Sequence, residues 1–112
     1  MGYTRFTKVA AEIFKGLQEG VAISKGANYT LADEEKVFYI GLTASAASKT
    51  FTLDLPEGSV CVVVNEGSSN AFTLKNVSGD SGTTVAAGAC WLVRASRTAN
   101  GSVLVALYLP ML

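Results

Sequence analysis

The chain of 112 residues contains no histidine. It therefore lacks the commonest general base, the usual activator of a serine or cysteine nucleophile and the commonest metal ligand. Carboxylates do not replace it. Glu12, Glu19, Asp54, Glu57, Glu66 and Asp80 are scattered through predicted turns and exposed positions, and the one cluster, Asp33-Glu34-Glu35, reads as a solvated turn ahead of a strand. Cys61 and Cys90 are 29 residues apart and have no CxxC partner, so neither zinc nor a redox pair is expected. Each lies in an apolar run, and both are expected to be free, buried thiols, with a disulfide between them the lesser reading. No enzyme, cofactor or metal site is expected.

Charge is equally sparse. Only 16% of residues are charged, against about 25% in an average soluble domain, and nine basic residues balance nine acidic ones. The basic residues form no cluster, which argues against nucleic acid as partner. No apolar run approaches the roughly 18 residues of a membrane span. Met1-Gly2-Tyr3-Thr4-Arg5 does not lead into an uninterrupted apolar stretch, so a signal peptide is not expected. A neutral, lightly charged surface gives like copies nothing to repel each other with, which favours burial against another chain.

Two short motifs invite other readings. Ser78-Gly79-Asp80-Ser81-Gly82 lacks the spacing of a phosphate loop, supplies one carboxylate to a calcium ion, and reads as a β-turn loop with a lesser prospect as a contact loop. Asn28, Asn76 and Asn100 open glycosylation-type triplets that are read as loop composition.

Two periodicities divide the chain into 1–20 and 21–112. In the first, Phe6, Val9, Ala10, Ile13, Phe14 and Leu17 follow the spacing of one helical face, with Lys8, Glu12, Lys15 and Glu19 elsewhere on the wheel. Such an amphipathic helix is marginal alone, so its stripe needs a surface, either the chain's own sheet or a partner. Beyond Gly20 short alternating segments recur between turns: Val21–Ser24, Lys36–Leu42, Lys49–Leu55, Ser59–Asn65, Asn70–Asn76, Thr83–Ala86, Ala89–Ala95 and Ser102–Leu109. Phe51, Leu53 and Leu55 are expected inward, with Thr50, Thr52 and Asp54 toward water. Ser59–Asn65 is almost wholly apolar, as where both faces of a strand are covered. Trp91 reads as a core anchor in preference to a sugar-binding platform with Tyr108. The expected class is all-β, a β-sandwich or jelly-roll-like domain with a short N-terminal amphipathic helix or arm. Phe51-Thr52-Leu53 is echoed by Phe72-Thr73-Leu74, an alternation that chance explains equally well.

The stretch from Thr50 to Ala106 resembles the small β-domains of tailed-bacteriophage virion proteins. The likeness lies in a strand ending Val62-Val63-Val64-Asn65, the strand Asn70-Ala71-Phe72-Thr73-Leu74-Lys75-Asn76, a Gly/Asp/Thr loop, and the turn Ala86-Ala87-Gly88. It implies a capsid decoration, cement or head-fibre protein, made in the host cytoplasm and carried in the virion, often as a homotrimer on the major capsid protein or another virion protein. Tyr3, Phe6, Val9, Ile13, Phe14 and Leu17 would then form the docking or trimer-forming face. The alternative is a host receptor- or carbohydrate-binding module of a tail fibre or tip, with loop residues such as Asn70 and Asp80 facing the glycan. Light scattering on the purified chain is expected to return a multiple of the 11.7 kDa subunit mass; single copies would count against assembly.

Overall fold

The computed structural model describes residues 20–107. The N-terminal stripe and everything after Leu107 lie outside them. Among the described residues the chain is all-β, with one short 3-10 turn, Asp33–Glu35. Nine strands form two sheets: β1 (Val21–Lys25), β2 (Tyr29–Thr30), β3 (Tyr39–Ala44), β4 (Lys49–Thr52), β5 (Val60–Asn65), β6 (Phe72–Lys75), β7 (Thr83–Val85), β8 (Cys90–Arg94) and β9 (Val103–Leu107).

The sheet order explains the turn-rich sequence. One sheet runs β1-β3-β5-β8-β9 and the other β2-β4-β6-β7. The first six strands alternate between sheets, and each pairs in parallel with the strand one turn later. Val21 therefore lies beside Ile40, and Ile40 beside Val63; in the other sheet Tyr29 lies beside Phe51, and Phe51 beside Leu74. Parallel neighbours need a long crossover. Here each crossover includes a strand of the opposite sheet, so the chain winds as a coil of three rungs. The coil then ends in antiparallel pairing, with β7 on β6, β8 on β5, and β9 on β8.

This differs from the wholly antiparallel pairing of a jelly roll, for a local reason. The turns after β1, β3 and β5 do not fold the chain back beside itself; they carry it across to the facing sheet. Both sheets nevertheless share one core. Ile23, Ile40, Leu42, Cys61, Val63 and Val93 from the first meet Phe51, Phe72, Leu74 and Val85 from the second. Phe51, Leu53 and Leu55 are buried as their alternation required. The Phe51 and Phe72 rings meet edge to face, 4.9 Å apart, a geometry contributing about 0.5–1.5 kcal/mol beyond burial. Trp91 packs against the cluster as an anchor.

Corners of such a coil strand backbone groups that no ladder satisfies, and asparagines satisfy them. Asn65 is fully buried at the end of β5. Its Nδ2 donates to the carbonyls of Asn70 (2.9 Å) and Val85 (3.0 Å), and its Oδ1 accepts from Gly67 N–H (3.0 Å). Asn76 works as a strand partner for Leu55: Oδ1 accepts from its N–H (2.8 Å), while Nδ2 donates to its carbonyl (3.2 Å) and to that of Ser96 (2.8 Å). Asn28 accepts from Thr50 N–H, and Asn70 donates to the Ala44 carbonyl.

Replacing Asn65 with Ala orphans the buried Val85 carbonyl, at about 1–3 kcal/mol, and two part-buried groups, the Asn70 carbonyl and the Gly67 N–H, a large share of the 5–15 kcal/mol typical of a domain. Urea unfolding is expected to show a loss of about 3 kcal/mol or more; a change below 1 kcal/mol would show that water replaces the carboxamide.

Candidate functional site

Both sheets present an outward face, and the two faces differ in chemistry at equal backbone demand. Register places Thr50, Thr73 and Thr84 in one outward row of the four-stranded sheet and Thr30, Thr52 and Lys75 in the next. The five-stranded sheet carries valine where its partner carries threonine. Val60, Arg94 and Val103 stand in one outward row, and Val62, Leu92 and Val105 in the next. Val60, Val103 and Val105 are about half exposed, at 49%, 50% and 48%. The sequence pattern had both faces of Ser59–Asn65 covered, but no layer of the described residues lies over the outer side of Val60.

Both side chains are β-branched and near-isosteric, so strand preference is served by either. What separates them is affinity for water. The valine face is thus a surface that folding did not require to be apolar.

Nearer β1 the same face rises into a polar ridge. Gly41 leaves a hollow that the Glu66 carboxylate fills, so a Cβ there would collide with it. The Tyr39 phenol donates to Glu66 Oε2 at 3.5 Å, and the Tyr39 ring leans over Gly20, where a Cβ would come within 2.8 Å of it. Burial first, then the Glu66 charge, pushes the Tyr39 phenol above its ordinary pKa. Val64 and Cys90, paired across β5 and β8, are buried yet lie outside the core cluster.

Beside this face lies a groove of about 960 Å³ lined by Val37, Phe38, Leu55, Pro56 and Val60, with Asp33, Lys36, Asp54 and Arg97 along it. Arg97 pairs with Asp54 at 2.8 Å; Lys36 pairs with Asp54 at 3.3 Å and with Asp33 at 2.9 Å. Asp54 sits in the left-handed region at φ 55°, and Arg97 first, then Lys36, hold its carboxyl below the usual range. Two cations matched by two carboxylates leave no charge for a ligand ion.

Other residues singled out by sequence have structural work. Glu35 accepts from the Tyr29 phenol (2.6 Å) and from Ala32 N–H (2.8 Å), so the acidic turn is only partly solvated. Both cysteines are free and buried; burial pushes Cys61 up to about 12 and raises Cys90 as well, far from a reactive thiolate. Of the glycan-contact expectation, Asn70 spends its Nδ2 on the Ala44 carbonyl, and the Asp80 carboxylate is engaged within the fold. Asp80 accepts from the N–H groups of Asn76 (3.0 Å), Val77 (3.2 Å) and Asn100 (2.5 Å). The partner-binding set Tyr3, Phe6, Val9, Ile13, Phe14 and Leu17 lies outside the described residues.

No protein family, curated protein or solved structure matches this chain.

Burial works to raise the Asp80 carboxyl, but the donors from Asn100, Asn76 and Val77 outweigh it and lower the pKa. A lowered folded-state pKa gives stability that is present above the unfolded value near 3.9 and lost as pH falls through the folded value. Asp80→Asn is expected to cost about 1–3 kcal/mol at pH 7 and to flatten the acid limb of stability below about pH 4, measured by urea unfolding against pH. An unchanged acid limb would remove Asp80 from it.

Proposed function

We propose that this chain is a non-enzymatic structural protein of a tailed-phage virion, a homotrimer that decorates or cements the capsid or forms the base of a head fibre. One observation carries the reading: an outward valine face on a chain of zero formal charge, beside a threonine face that shows what the same fold looks like when water is its neighbour. The resemblance to virion β-domains supports it. The two facing sheets are read as a sandwich-like knob, and the segment bearing Tyr3, Phe6, Val9, Ile13, Phe14 and Leu17 as the docking or trimer-forming element, with the major capsid protein or another virion protein as partner. Nucleic acid, membrane and cofactor have no part in it.

The mechanism is multivalent burial. A few hundred Å² of apolar surface per subunit, at about 25 cal/mol per Å², contributes several kcal/mol before the cost of association. Three tethered contacts bind far more tightly than one.

Phe14→Asp combined with Leu17→Asp is expected to abolish co-sedimentation with capsid shells of the cognate phage purified without this protein, while circular dichroism keeps its β signal. Unchanged sedimentation would refute the docking role.

A further inference from the structure

Resting on that reading, we infer that the valine face of β5, β8 and β9 is the subunit interface, and that the apolar stripe of residues 4–19 of a second copy covers it.

The area of the face requires more than sheet meeting sheet. Three strands about 4.8 Å apart and five residues long at about 3.3 Å each span roughly 240 Å². A stable interface buries about 800 Å² on each partner. In a closed ring where each copy donates a segment and receives one, every subunit gains a second contact of comparable size. The sixteen residues 4–19, if they take the helix their apolar period calls for, run about 24 Å, and the step from β1 to β9 is about 19 Å.

The point at which the described chain begins selects a neighbour's segment over its own. Gly20 precedes β1, one edge of the five-stranded sheet, while the valines lie toward the opposite edge, at β9. Between them stands the ridge of Tyr39 and Glu66, with the Tyr39 ring pressed over Gly20 and the Glu66 carboxylate over Gly41. A segment leaving Gly20 meets that polar ridge before any valine of its own sheet. A neighbour placed with its β1 edge toward β9 delivers its segment to Leu92, Val103 and Val105 with no ridge to cross. Among the described residues no strand pairs with the outer side of β9, and Val103–Leu107 carries no proline or charge of the kind that blunts an edge.

The test is photocrosslinking of the full-length protein without capsids. Val105 and, separately, Val60, both half exposed, are replaced by p-benzoylphenylalanine. Unlabelled crosslinker-bearing chains are mixed with ¹⁵N-labelled wild type, irradiated, and mapped by mass spectrometry. Crosslinks between labelled and unlabelled chains that map to residues 4–19 are expected. Crosslinks to 4–19 of the same chain, crosslinks between copies that map only to the sheet, or none between copies would each overturn the inference, whatever the particles do. The near-isosteric pair Val103→Thr and Val105→Thr is expected to weaken self-association at least tenfold in sedimentation velocity with the fold intact; unchanged association would also overturn it.

Discussion

The fold depends on satisfying backbone groups at corners where no neighbouring strand is available. A hairpin closes its own hydrogen bonds, but a chain that crosses from one sheet to another leaves carbonyls and amides facing the interior at every corner. Asn65 and Asn76 meet this need with buried carboxamides, each able to donate and accept at once. Asn76 matches both the N–H and the carbonyl of Leu55, so the ladder between rungs continues through a side chain where the backbone register has run out. Asp80 then holds the N–H groups of Asn76 and Val77 and ties them to Asn100, fixing the third rung against the antiparallel end of the domain.

From that constraint the distribution of surfaces follows. A coil stacks equivalent positions of successive rungs, so one inward row builds the core and one outward row is repeated across each sheet. Phe51 and Leu74 meet in the core because their rungs are in register, and Thr50 and Thr73 meet outside it for the same reason. Growth stops where β8 pairs antiparallel with β5. That turn of direction makes β9 an edge, and it brings the two valine-bearing strands β5 and β9 to either side of β8.

Much of the core was legible and little of the pairing was. Alternation reports which face a residue takes, and it placed Phe51, Leu53 and Leu55 correctly because each is buried by the facing sheet. It does not report which strand lies alongside or in which direction, so a jelly-roll-like class is expected where the rungs run parallel. The two-residue strand β2 is too short to show a period. The echo of Phe51-Thr52-Leu53 in Phe72-Thr73-Leu74 does mark adjacent strands, but two residues out of register, since Phe51 lies beside Leu74. The in-register repeat is Tyr29-Thr30 with Phe51-Thr52, each followed by a buried leucine, Leu31 and Leu53. Asn28, Asn76 and Asn100 read as loop composition in sequence because polarity alone cannot distinguish a solvated amide from one that closes a corner. Val60 reads as covered because an apolar run in sequence does not show whether a second layer lies over it.

The contrast between the two outward faces bears most directly on what the molecule does. Threonine and valine present nearly the same shape to a strand, and the four-stranded sheet shows that this fold accepts threonine across its outward rows. Had water been the lasting neighbour of the five-stranded sheet, the same substitution there would have left the ladder, the core and the asparagine corners untouched. Val60, Val62, Val103 and Val105 are therefore not explained by the strand preference or the core of the described fold. Arg94, at the end of β8, is the one charge within their two rows, whereas a surface built for solvent spreads both signs across the face.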